Sequence, residues 1–211
     1  MNIKQLLVLT IGLVLYTNFA SAALITNGSM NHPTADTGTF NALAPTGWSQ
    51  DPLSVDVFDA NSNFFTFLNW VPSTDGGTFL HAIGDTVNGF NEGASQSISG
   101  LSIGQTYELT FEQATSSTKS GFWQVSFGTE VFNTATMAAV NSNVWDVQSL
   151  LFTATSNTQL LSFIAMTNEF GRVDLGIDGV SLELAAIPLP GALWLFGSGI
   201  ALFGMTRRRR T

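Results

Sequence analysis

The 211-residue sequence predicts an all-β chain folded as a β-sandwich, and three observations carry that expectation. Residues 23–186 hold many short β-rich segments separated by Gly, Asn, Ser, Thr and Pro clusters. No stretch longer than two turns shows the 3.6-residue apolar period of an amphipathic helix. Turn signals recur roughly every 8 to 12 residues, a spacing that suits a sandwich or jelly roll better than a meander.

In chain order, strands are expected at Leu24–Ile25, Val55–Phe58, Phe64–Asn69, Thr78–Ala82, Ala94–Ile98 and Thr106–Gln113. They continue at Gly121–Phe127, Glu130–Asn133, Asp146–Ala154, Thr158–Ala165 and Val173–Leu184. Tyr107, Leu109 and Phe111 alternate with Glu108, Thr110 and Glu112, which turns one face of that strand to the core. Leu161, Phe163 and Ala165 alternate with Ser162, Ile164 and Met166, where both faces look apolar. Gly128-Thr129 between two β-rich runs reads as a hairpin turn with the glycine at positive φ. Asp75-Gly76-Gly77 and Gly84-Asp85 read as turns, since no lysine, following helix or βαβ frame makes them phosphate loops.

The two ends differ from the middle. Residues 1–22 read as a signal peptide for signal peptidase: Lys4, an apolar run from Leu6 to Leu15, then Ala20-Ser21-Ala22 as the cleavage site. An uncleaved anchor helix is the alternative, although the run is short for spanning. At the other end, Pro188 and Pro190 break regular structure. Gly191 to Thr206 then runs uncharged into Arg207, Arg208, Arg209 and Arg210. Residues 187–211 thus read as a proline break, then one transmembrane helix through Ala192, Trp194, Phe196, Gly199 and Phe203, then an arginine cluster on the cytoplasmic side.

Charge excludes one class of partner. All fifteen acidic residues lie between Asp36 and Glu183, and only Lys119 and Arg172 oppose them there, leaving −13. Nucleic acid, bound chiefly through Lys and Arg on phosphates, is not an expected partner. The absence of Cys removes disulfides, thiol nucleophiles and cysteine metal sites.

Nothing in the chain assembles a recognisable catalytic motif, so no enzyme is expected. His32 and His81 are the only histidines, and neither accompanies a Gly-x-Ser-x-Gly elbow. His81 is expected to pack its ring beside a strand end with its polar tip solvated. Asp75, Asp85, Glu92, Glu112, Asp174 and Asp178 are carboxylates that a glycoside hydrolase would need in pairs, but no motif selects among them. Asp51, Asp56 and Asp59 lack the order of an EF-hand. The aromatics are the best functional handle, because an exposed ring stacks on the apolar face of a sugar. Trp70, between Asn69 and Val71-Pro72, is the first candidate for glycan stacking and Trp48 the second. Either ring would equally anchor sandwich packing, where an aromatic buries about 150 to 250 Å².

Two resemblances add to this reading. The run from Ile187-Pro188-Leu189-Pro190-Gly191 through Trp194, Phe196 and Gly199 to the terminal arginines resembles a PEP-CTERM sorting signal, with Leu189 in place of the name-giving glutamate. That implies a Gram-negative source making exopolysaccharide and an exosortase-type membrane enzyme as partner. The chain would pass the inner membrane transiently and reach the cell surface or extracellular matrix, with the tail cut or kept as an anchor. Leu24–Ser29, Gly47-Trp48, Gln96–Ile98, Gly104–Phe111, Trp145 with Phe152–Ala154, and Ile177–Leu182 resemble, in order, the choice-of-anchor C type extracellular domains. These are related to galactose-binding-like jelly rolls and carbohydrate-binding modules. The resemblance implies a polysaccharide ligand and a structural Ca²⁺ on Asp178, although Met30 and Asn31 stand where the family carries Phe-Glu. A structural or adhesive matrix protein, binding protein partners or itself, is the other expected class.

Overall fold

The computed structural model describes residues 23–32, 40, 42–59, 70–115, 119–138 and 144–186. The signal-peptide, sorting and transmembrane assignments at 1–22 and 187–211 lie outside the described residues, as does the strand expected at Phe64–Asn69. Among the described residues no helix is long and apolar enough to cross a membrane.

Eleven strands form two antiparallel sheets: β1 Ser49–Gln50, β2 Asp56–Asp59, β3 Thr78–Asp85, β4 Phe90–Asn91, β5 Gly93–Ser99, β6 Thr106–Thr115, β7 Phe122–Phe127, β8 Glu130–Asn133, β9 Asp146–Thr153, β10 Thr158–Met166 and β11 Val173–Leu184. One sheet runs β1-β5-β10-β7-β8 and the other β2-β3-β11-β6-β9, with β4 added beside β3. From β9 onward each strand enters the sheet opposite its predecessor.

The core lies between the sheets and comes from the alternation read in the sequence. Tyr107, Leu109 and Phe111 of β6 meet Leu161, Phe163 and Ala165 of β10, all buried. Phe163 takes Phe111 edge-on at 5.1 Å and Trp123 at 6.3 Å. Trp123 is fully buried and its Nε1 donates to the Gly176 carbonyl at 3.3 Å, which ties the five-stranded sheet to the centre of the six-stranded one. The β7–β8 hairpin turns on Gly128 at φ 62°; a β-carbon there would fall 2.3 Å from the Gln159 amide nitrogen.

Local detail adds to or departs from the expected strands at three places. Leu24–Ile25 is no strand: the Gln96 side chain holds both backbone groups of Thr26, and Asn27 bonds the Asn31 and Thr46 carbonyls, so the segment folds as turns. The two-residue strands β1 and β4 carry no period and were not expected. In β11 the register with β6 shifts between Asp178 and Ser181, where Gly179 at φ 59° forms a bulge. The extra residue lets Val180 and Leu182 return to the core while Asp178 stays on the opposite face.

Candidate functional site

The outer face of the six-stranded sheet carries most of the chemistry in the described residues. Register puts Asp56 beside His81 and Phe58 beside Phe79 across β2 and β3, Gly176 beside His81 across β11, and Glu112 beside Asp178 across β6. Phe58 and Phe79 form a second apolar cluster there, and Trp70 and Trp145 pack on it half-buried. The indole centroids lie 6.2 Å apart at 35°, Trp70 sits 4.9 Å from Phe79, and Trp145 meets Phe79 edge-on at 5.2 Å.

Glycine makes this stacking possible. A β-carbon on Gly176 would come within 3.0 Å of Trp145 and 3.1 Å of Trp70, so only a bare backbone lets both indoles lie on the sheet. Trp145 Nε1 donates to the Val71 carbonyl at 2.8 Å. Trp70 Nε1 is buried and meets no acceptor among the described residues. Val71, Val144 and Val147 surround the pair and are exposed.

A strap formed by residues 70–77 is fastened over the same face. The Ser73 hydroxyl bonds Asp178, while the Thr74 backbone N–H donates to Glu112 at 2.9 Å and its hydroxyl bonds the same carboxylate. Gly76 N–H donates to the Ser73 oxygen at 3.0 Å and closes the turn. Asp178 also accepts from the Gly179 N–H at 2.9 Å. Burial pushes its carboxyl up to about 7, against the Ser73 and Gly179 bonds that favour the charge; Asp75 and Glu112 push it further the same way.

His81 is the main departure from the expected arrangement. It has no solvated tip: it is fully buried in mid-strand, its Nε2 3.1 Å from Asp174 Oδ1 and its Nδ1 3.5 Å from Asp56 Oδ2. Phe58 stacks on the imidazole at 4.2 Å and 7°. Burial disfavours the imidazolium, but the hydrogen bond to Asp174, the close approach of the Asp56 carboxylate and the charges of both outweigh it and raise the ring to about 9. Glu92, which accepts from the Ile83 N–H at 2.7 Å, is raised to about 7, chiefly by burial.

The fold therefore gathers Asp75, Glu112, Asp174, Asp178 and Trp70 on one face and leaves Trp48 and Asp85 elsewhere. Trp48 lies in the core against Phe163 at 5.9 Å with its Nε1 bonded to the Asn27 carbonyl, so its ring is not offered to a ligand. Asp85 caps the 3-10 turn at Thr86–Asn88 by accepting from the Asn88 backbone N–H, and its carboxylate also takes the Asn88 side-chain amide. The calcium implied on Asp178 finds no matching donor set among the described residues: its oxygens face Ser73 and Gly179, and Asn31, where the resemblance implies a glutamate, bonds Thr78. Among the described residues no group of three or more His, Asp or Glu is arranged to hold a metal ion. Phe58, Phe79 and Trp145 went unselected in the sequence. Their signal was the run Phe79-Leu80-His81-Ala82-Ile83, apolar on both faces, which marks a strand covered on both sides.

No family model matches the chain. Over 179 residues it is 26% identical to halomucin of Haloquadratum walsbyi (strain DSM 16790 / HBSQ001), a match covering 80% of this chain and 2% of that protein, so the chain spans a small fraction of its relative's length. Among solved structures, TmCBM61 in complex with beta-1,4-galactotriose is similar at 15% identity and TM-score 0.49, over 78% of this chain and all of that one. A CBM4 structure is similar at 15% identity and TM-score 0.39, over 76% and 99%. The enzymatically active domain of bacteriophage CBA120 tailspike protein 4 is similar at 16% identity and TM-score 0.45, over 77% of this chain and 21% of that one.

Proposed function

We propose that this chain is an exported, surface-associated protein without catalysis of its own, whose sandwich binds polysaccharide of the extracellular matrix across Trp70 and Trp145. The carrying observation is that indole pair, held side by side 6.2 Å apart on the outer sheet face over Gly176. Rings fixed by packing give a stacking surface at low entropic cost, and carboxylates beside them accept hydrogen bonds from sugar hydroxyls. The N-terminal signal-like run and the proline–apolar–arginine tail support passage through the inner membrane and sorting by an exosortase-type enzyme to the surface.

The test is intrinsic tryptophan fluorescence of the chain against a panel of exopolysaccharides. A saturable shift, lost in Trp145→Ala and kept in a conservative Trp145→Tyr, supports the proposal; silence with every glycan overturns it.

A second reading, an adhesive protein that binds itself, is favoured by one observation. Val131 and Phe132 on edge strand β8 and Val147 and Leu151 on edge strand β9 are all exposed. Concentration-dependent association abolished by Leu151→Lys and Val131→Lys would favour it.

A further inference from the structure

We infer that the glycan preferred on the Trp70–Trp145 platform carries free amino groups, and that uronic and sulfated chains are turned away. This rests on the glycan-binding reading above and names the ligand class of the same site.

The platform is ringed by carboxylates. Asp174 and Asp178 lie on β11 two residues either side of Gly176, so their backbones stand about 7 Å from the glycine under the indoles. That is within the Debye length of about 8 Å at physiological salt, so the charge on Asp174 reaches a ligand on the rings, whereas Asp178, raised to about 7, is largely protonated at pH 6 and adds little field. Glu112 lies across from Asp178, Asp75 stands exposed on the strap, and exposed Asp146 follows Trp145 directly.

Positive charge is occupied elsewhere. On this face His81 is buried between Asp56 and Asp174, and its charge is spent on them. Of the two basic side chains in the described residues, Lys119 bonds the Phe170 carbonyl and Arg172 lies over the Phe90 ring at 5.1 Å. A uronate or sulfate set on the indoles would meet carboxylates and no guanidinium or ammonium to pair with. An ammonium on a hexosamine meets the opposite: the negative face of an indole, and carboxylates within reach. Hydroxyls of the same sugar ring remain available to the exposed oxygens.

The test is isothermal titration of the full-length chain at pH 6 with glucosamine oligomers, their N-acetylated counterparts, oligogalacturonate and oligolysine, at low and high salt. The amino oligomer is expected to bind about tenfold or more tighter than the N-acetylated one, to weaken with salt, and to be lost in Trp145→Ala; oligogalacturonate gives no heat. Because Trp145→Ala also removes packing, the surface pair Asp75→Asn and Asp146→Asn serves as second variant. It should weaken the amino oligomer several-fold, and by clearly more than it weakens the N-acetylated one. Equal, salt-independent binding of both glucosamine oligomers overturns the amine preference while leaving the platform standing, and so does binding of oligogalacturonate. Oligolysine binding as tightly, and indifferent to Trp145→Ala, overturns it in favour of bulk charge. No glycan binding at all overturns both this inference and the reading on which it rests.

Discussion

Gly176 lies directly beneath Trp145, close enough that a single added methyl would stand 3.0 Å from the edge of the indole. The two residues meet only because β11 is central in its sheet and the chain before β9 returns over it.

Replacing Gly176 with Ala should therefore act on the platform first. Overpacking of this kind costs about 1–3 kcal/mol, and here the outer rings are easier to displace than the sheet. Tryptophan emission should shift to the red with the strand content unchanged in far-UV circular dichroism. Unaltered emission would mean the indoles do not rest on Gly176.

Removing the imidazole leaves Asp56 and Asp174 facing each other without a cation. Breaking a buried pair in this way costs about 3–5 kcal/mol, and the low end applies because the Asp174 side chain is 21% exposed. His81→Leu should lower the urea midpoint accordingly. Adding Asp56→Asn to His81→Leu should recover part of the loss.

Stability should fall as pH rises, in two stages. Asp178 and Glu92 have folded-state values raised to about 7, so the native state holds these protons more tightly than the unfolded chain. Their contribution is complete below the ordinary carboxyl range and is lost as pH climbs through 7. His81, raised to about 9, contributes fully below its usual 6.5 and loses that contribution as pH passes 9. Melting temperature measured from pH 4.5 to 10 should decline in both windows, and Asp178→Asn should flatten the first. A melting temperature that rises between pH 6 and 8 would contradict the assignment.

The strap is held by polar bonds that can be removed without touching the core. Ser73→Ala with Thr74→Ala should cost about 1–2 kcal/mol in total and raise amide exchange over residues 70–77. Glycan affinity should drop several-fold in the same protein, because Trp70 begins the strap. Exchange rates equal to those of the parent chain would show that the hydroxyls do not fasten it.

Trp48 and Trp145 should separate cleanly on substitution. Trp48→Ala opens the core and should cost about 3–5 kcal/mol. At a temperature where that variant is still folded, its affinity for glycan should match the parent. Trp145→Ala should show the reverse, a loss of binding larger than the loss of stability.

The strands were legible wherever a residue type repeated with period two, as at Tyr107, Leu109 and Phe111, because that pattern depends on the chain's own pleat. The outer-face site was not. Asp56, His81 and Asp174 meet through the register of three strands, and no local spacing encodes which residues come opposite. Trp70 could be singled out by its loop-like neighbours, but its partner Trp145 could not, since the pair is made by the return of the chain over Gly176. Trp48 carried no local signal of burial, because what seats it is distant in the chain: the Gln96 and Asn27 side chains bond the Gly47 and Thr46 carbonyls and fold that turn against the core.

The last strand, β11, is the central strand of its sheet and joins β3 to β6. Until Val173–Leu184 has been synthesised, the six-stranded sheet lacks its middle, and Trp123 lacks the Gly176 carbonyl that its indole nitrogen bonds. Such long-range pairing cannot close before the C-terminal strand is present, however fast the remaining strands form. A polypeptide of this topology remains threadable until its C-terminal third is available, which on the exported reading proposed above lets the chain cross a translocation channel extended and fold on the far side.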